Sequence, residues 1–170
     1  MMYYIKYIYN DRWNGYDHLL EKMLVDSNYI TYIRDKKCLD IGTRNGNNCS
    51  MMVKHGAKSV TGIDIDDSRF NEMESNENIQ LIKQNFFELD NDEKFDVITV
   101  FLWNINYSDY DRLVEKIKKL LNDRGIVMIS AADSLYRSDT DQVSIVKLFS
   151  AYFSKIFVID NEYLHVYVIY

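Results

Sequence analysis

Short apolar runs alternate along the chain with stretches whose apolar residues recur every three or four positions. Tyr16, Leu19, Leu20, Met23 and Leu24, followed by Tyr29 to Ile33, have helical spacing, which predicts an amphipathic helix over 16–33 with an interruption near Ser27-Asn28. Beyond it the pattern predicts strands over 37–41, 59–64, 79–84, 95–102, 125–131, 156–160 and 164–169, short and rich in Val and Ile. Helical patterns over 47–55, 68–74, 109–122 and 140–152 lie between them. Strands that are apolar on both faces, with helices in between, require a mostly parallel sheet covered on both sides. The expected fold is therefore α/β, a doubly wound sheet of seven strands. Only Asn161-Glu162-Tyr163 separates the last two strands, too short a link for a parallel crossover, so they form a hairpin with an antiparallel C-terminal strand. No repeat, low-complexity tract or linker breaks the pattern. Residues 1–170 are expected to form a single domain, with 1–35 as a leading helical segment.

Candidate chemistry gathers at the ends of the first two core strands. In Leu39-Asp40-Ile41-Gly42-Thr43-Arg44-Asn45-Gly46-Asn47-Asn48 a strand ends, two glycines flank a tight turn and a helix begins. Such a turn lets a ligand approach backbone amides at a helix N-terminus, although glycines in a strand-to-helix turn also serve conformation alone. Val60-Thr61-Gly62-Ile63-Asp64-Ile65 is an apolar strand closing on an acid. Asp64 follows the turn by about 20 residues, the spacing at which doubly wound folds use an acid to accept hydrogen bonds from the ribose hydroxyls of a nucleoside. The other reading of Asp64 is an acid that caps the following segment or solvates a strand end.

On these residues the chain resembles the class I S-adenosylmethionine-dependent methyltransferase family, with its Rossmann-like fold and C-terminal hairpin. Asp40, Gly42 and Gly46 match the family's first motif, D-x-G-x-G-x-G. The resemblance implies that these three line the methionine end of the cofactor, that Asp64 holds the ribose, and that Ile65 packs on the adenine. Asn85 stands where the family usually has an acid facing the adenine amino group, and its carbonyl oxygen can accept the same hydrogen bond. Phe86 would flank the ring. Leu102, with Trp103 and Asn104, falls where the family's fourth strand reaches the transferable methyl. Arg44 replaces the middle glycine of the motif. Its side chain either points outward or meets the cofactor carboxylate, a pairing suited to the guanidinium fork.

The implied activity is methyl transfer from S-adenosylmethionine to an oxygen or nitrogen. The alternative is an inactive methyltransferase-fold binding or scaffold subunit, to which the Arg44 replacement lends weight. A nicotinamide-dependent oxidoreductase would need G-x-G-x-x-G after the first strand, and Gly42-Thr43-Arg44-Asn45-Gly46 does not supply it. The fourth strand is not followed by Asn-Pro-Pro-aromatic, which argues against exocyclic-amine DNA methyltransferases. An acceptor that must lose a proton requires a base near the strand ends, for which Asp133, Tyr136, Asp109 and His18 are the candidates.

Composition narrows the partners. With 20 basic and 26 acidic side chains the net charge is -6, which repels phosphate backbones, so nucleic acid is not the favoured partner. A small molecule such as a sugar or metabolite, or a group presented by a partner protein, is the expected acceptor. No metal cage is expected, since the acid pairs read as solvated turns. Cys38 and Cys49 read as reduced, buried thiols, and no apolar run approaches the ~20 residues of a membrane span. The Met1–Tyr9 stretch, broken by Lys6, reads as no signal peptide, and the expected location is the cytoplasm.

Overall fold

The computed structural model describes residues 4–6, 16–89, 92–101, 109–132, 149–153, 155–160 and 164–170. Its strands are β1 (Tyr4–Lys6), β2 (Lys37–Ile41), β3 (Ser59–Asp64), β4 (Ile79–Lys83), β5 (Phe95–Phe101), β6 (Leu121–Ala132), β7 (Ile156–Asp160) and β8 (Leu164–Ile169). They form one sheet in the order β1-β7-β8-β6-β5-β2-β3-β4. β8 runs antiparallel to both neighbours, β6 and β7, and every other pair is parallel. All seven expected strands are present, and the C-terminal one is antiparallel as expected. An eighth, β1, adds to the outer side of β7. Three residues are too few to display a period, so β1 exists through pairing with an available strand edge and not through its own pattern.

Among the described residues, α1 (Tyr16–Asp26), α2 (Asn47–Lys54) and α3 (Tyr110–Leu120) accompany the sheet. The predicted break in the first helix falls where Ser27 Oγ donates to Met23 O at 2.6 Å and Asn28 turns left-handed at φ 64°. A 3-10 turn, Tyr29–Ile33, follows. The helix expected over 68–74 is only a 3-10 turn, Phe70–Glu72, where the chain first bends as Asp66 accepts the Ser68 N–H at 3.0 Å. Most of the helix expected over 140–152 lies outside the described residues.

Alternate residues of each central strand feed two cores. On one face Leu39, Ile41, Ile98, Val100, Val127 and Ile129 pack with Leu113, Val114, Ile117 and Leu120 of α3. On the other, Cys38, Val97, Phe101, Ile126 and Met128 pack with Leu20, Met23 and Leu24 of α1 and Cys49 and Met52 of α2. Each such aliphatic side chain stabilises the fold by about 1.5–3 kcal/mol relative to exposure. This is the physical content of the doubly wound pattern read from the sequence.

β6 begins four residues before the predicted 125 because its register against β5 shifts between Leu121 and Ile126. The extra residues bulge, and Gly125 permits it: a Cβ there would lie 2.6 Å from Leu121 Cγ. Asp96 fastens this end of the sheet, accepting from Lys37 N at 3.0 Å and from Asn122 Nδ2 at 2.7 Å. The Lys37 backbone hydrogen bond, helped by Asn122, holds the Asp96 carboxyl below its usual range. A depressed folded-state value stabilises above the unfolded value of ~3.9 and is lost as the pH falls through the lower folded value. Urea titrations between pH 5 and pH 2 should therefore show Asp96→Asn losing less stability on acidification than the wild type.

Candidate cofactor site

The β2–α2 turn has a left-handed backbone at Gly42 (φ 74°), Arg44 (φ 58°) and Gly46 (φ 80°). Arg44 thus keeps the conformation that glycine takes most easily, at a cost of about 1–3 kcal/mol for a residue with a Cβ. Hydrogen bonds offset it. Gly42 N and Thr43 N donate to Ile63 O at 2.8 and 3.1 Å, and Gly46 N donates to Thr43 O at 3.0 Å. Arg44 N donates to Asp64 Oδ2 at 2.8 Å, a bond to a charged acceptor worth ~1.5–3 kcal/mol.

Asp64 is accordingly part of the turn. Its other oxygen accepts from Asp66 N at 3.0 Å. An ionised carboxylate offers roughly four lone-pair sites, so about two remain for further donors. Ile65, next to it, is 70% exposed.

Beneath the turn Asp40 is fully buried, and Thr99 Oγ1 on β5 donates to its Oδ1 at 2.6 Å. Cys49 Sγ lies 3.9 Å from its other oxygen and 3.1 Å from Thr43 Oγ1. Burial pushes the Cys38 thiol up to about 12 and raises Cys49 well above the ordinary thiol value. Both should resist a thiol reagent such as Ellman's reagent at pH 8 and react only after denaturant is added; rapid labelling of the folded chain would contradict this.

Over the turn opens a polar cleft of about 200 Å³. Gly42, Thr43, Arg44 and Asn45 line it from the turn, Asn47 and Asn48 from α2, Arg69 from beyond β3, and Phe101 from the end of β5. Arg69 Nε and Nη2 each meet a Glu72 oxygen at 2.6 Å. The Arg69 hydrogen bonds hold the Glu72 carboxyl below its usual range.

Of the residues expected to bind cofactor, Gly42 and Arg44 line this cleft. Asp40 does not; it supports the turn from below. Gly46 is not among the residues lining the cleft, and a Cβ there would meet Met73 Sδ at 2.6 Å. Asn85 starts a 3-10 turn, Phe86–Glu88: its Oδ1 accepts from Phe87 N at 3.0 Å and its Nδ2 donates to Glu88 at 3.2 Å. Phe86, which the resemblance set beside the adenine, is 3% exposed and packs beside Phe87 in the core on the sheet's α3 side. Among the candidate bases, His18 is exposed on α1 and Asp109 is half-buried at the start of α3. Leu102, Trp103, Asn104, Asp133 and Tyr136 lie outside the described residues. The sequence reading did not name Thr43, Asn45, Asn47, Asn48, Arg69 or Phe101 as site residues. Asn48, directly after the glycine turn, carried a signal as a polar residue in a helix's first turn, whereas Arg69 carried none.

A family model described as a methyltransferase domain matches residues 16–164. The chain belongs to the methyltransferase family. The class I, S-adenosylmethionine-dependent branch that the sequence resembled agrees with this match and with the solved structures of similar fold. One, from Listeria monocytogenes and described as a candidate S-adenosylmethionine-dependent methyltransferase, is 22% identical with a TM-score of 0.59, over 74% of this chain and 58% of that one. The ribosomal protein L11 methylase of Lactobacillus delbrueckii subsp. bulgaricus is 20% identical with a TM-score of 0.64, over 89% and 78% of the two chains. SMU.776, a candidate methyltransferase complexed with SAH, is 17% identical with a TM-score of 0.63, over 88% and 49%. The chain thus spans 58% of the Listeria protein's length and about half of SMU.776. At these identities the likeness speaks for the fold. No curated protein matches the chain in sequence. Among the described residues, no helix is long and apolar enough to cross a membrane.

Proposed function

We propose that this methyltransferase uses S-adenosylmethionine to methylate an oxygen or nitrogen of a small polar acceptor, such as a sugar or metabolite, or of a group presented by a partner. The observation that carries the reading is the left-handed β2–α2 turn, kept open over its cleft although Arg44 replaces a glycine, and tied through Arg44 N to Asp64 at the end of β3.

The residues present fit an S-adenosyl group. Asp64 retains acceptor capacity for ribose hydroxyls, Ile65 offers a bare apolar surface for adenine, and the turn with Arg44 and the start of α2 suits the charged amino-acid end. The cofactor supplies a methyl group already activated by the sulfonium. What the chain adds is orientation, which can account for much of the rate of such a displacement. When the acceptor must lose a proton, one of Asp109, His18, Asp133 or Tyr136 takes it. The same proposal treats residues 1–170 as one cytoplasmic unit, with nucleic acid disfavoured by the -6 net charge.

Calorimetry with S-adenosylmethionine, S-adenosylhomocysteine and NAD tests this, followed by a radiolabelled methyl-transfer screen over sugars, nucleosides, RNA and protein lysate. Binding of both sulfur nucleosides without a response to NAD is expected. Silence toward all three would favour a scaffold subunit, and a response to NAD alone would sink the proposal.

A further inference from the structure

The parallel strands of the sheet start at the pole opposite the cleft, and β8, running the other way, ends there. At that pole Tyr29 and Tyr32 of the 3-10 turn after α1 stack with ring centroids 5.8 Å apart, and the Tyr170 ring meets Tyr32 edge-on at 5.6 Å. Tyr32 is 44% exposed and Val25, at the end of α1, 42%. Burial raises the Tyr29 and Tyr170 phenols above their ordinary value, so both rings stay uncharged. Exposed aromatic surface of this kind, rimmed by polar residues, marks a contact site. The rim is basic. Arg34 follows Tyr32 by two residues, Lys155 exchanges backbone hydrogen bonds with Tyr170 at 2.9 and 3.4 Å, and Lys36, just before β2, accepts through its carbonyl from the Lys58 N–H at 2.9 Å. All of these cations are exposed, and among the described residues none of their side chains is in an ion pair. Asp35 is the exposed acid between Arg34 and Lys36. Lys94, Lys118, Lys119 and Arg124 extend the rim along the starts of β5 and β6, against Asp92 and Asp123, while Glu77 lies apart before β4. Glu93 is matched by Lys37 at 2.5 Å.

We infer that this tyrosine-centred basic pole docks an acidic segment of a partner protein. Tyr and Arg are the side chains that most often dominate protein contacts, and a basic rim selects a partner of opposite charge. A nucleic acid fits less well. Its long row of phosphates would run past the pole onto the rest of a chain whose total is -6, and which is more negative still once the basic pole is set aside. A short acidic segment feels only charges within a Debye length of ~8–10 Å. The cleft stays free, because the five residues of β2 set it roughly 17 Å away. Docking here is independent of the S-adenosyl reading and needs no cofactor.

The test is fluorescence anisotropy of the full chain with labelled decaglutamate, with the same peptide carrying leucine at its centre, and with an oligothymidylate of equal length. Decaglutamate should bind and weaken as salt is raised, and the leucine peptide should bind at least about threefold tighter because the tyrosines bury its apolar side chain. Lys36→Glu combined with Lys155→Glu should weaken both peptides at least about tenfold. Both positions are exposed, and thermal melts check that the fold is kept. Tyr32→Ala should remove the preference for leucine and keep decaglutamate binding. Lys83→Glu, a reversal at the strand ends, should change neither. Failure of both peptides to bind, a loss from Lys83→Glu as large as from the double reversal, or tighter binding of oligothymidylate than of either peptide overturns the inference. So does a double reversal without effect, or a leucine preference that is missing in the wild type or survives Tyr32→Ala.

Discussion

Asp64→Ala is expected to lower affinity for S-adenosylmethionine roughly tenfold to hundredfold, the loss that follows from removing a charged acceptor worth ~1.5–3 kcal/mol. The structure gives this residue one task, holding the turn, and the proposed function gives it a second, holding the ribose. Its carboxylate accepts from Arg44 N at 2.8 Å and from Asp66 N at 3.0 Å, and its remaining lone pairs are available to ribose hydroxyls. The tasks separate in a double-mutant cycle with Arg44→Gly. Glycine adopts φ 58° without strain, so in the Asp64→Ala background it should recover thermal stability, because the turn no longer needs the carboxylate to hold it. Affinity should stay low, because ribose still lacks its acceptor. Full recovery of affinity in the double variant would mean that Asp64 acts only through the turn.

The second large effect is expected at Gly62, on β3 two residues before Asp64. A Cβ there would stand 2.7 Å from Leu81 Cδ2, 2.8 Å from Cys49 Sγ and 2.8 Å from Thr43 Oγ1, too close for any side chain. Gly62→Ala should destabilise by about 1–3 kcal/mol, which for a chain of this size lowers Tm by about 2–12 °C. The strain is directed at the site, since Thr43 belongs to the glycine turn and Cys49 to α2. Thermal melts read the stability, and calorimetry with S-adenosylhomocysteine should show weaker binding even well below Tm. An unchanged melting temperature would mean that the β3–α2 contact relaxes freely and that the close packing inferred here is wrong.

Much of the fold was legible in advance. Strands β2, β3, β7 and β8 have the boundaries expected from their apolar runs, and the break after α1 falls at Ser27-Asn28 as read. A strand buried on both faces leaves a run with few polar gaps, which a linear reading detects directly. The three-residue β1 and the early start of β6 were not legible, because an edge pairing and a bulge depend on what the neighbouring strand offers. The same division runs through the site. The glycine turn and Asp64 could be found from spacing, since a strand end and a helix start lie next to each other in the chain. Arg69 could not, because it enters the cleft only once β3 lies beside β2.

By itself the sequence determined the alternation of strands and helices, the antiparallel C-terminal strand and the glycine turn between β2 and α2; these follow from local period and from the reach of short links. Tertiary packing alone decided which polar groups face the cleft. It put Asp40 beneath the turn on Thr99, turned Phe86 into the core, set Met73 against Gly46 and brought Arg69 to the cleft. A residue's type states what it can bond to, but its partners are set by segments distant in the chain that packing brings within a few ångströms.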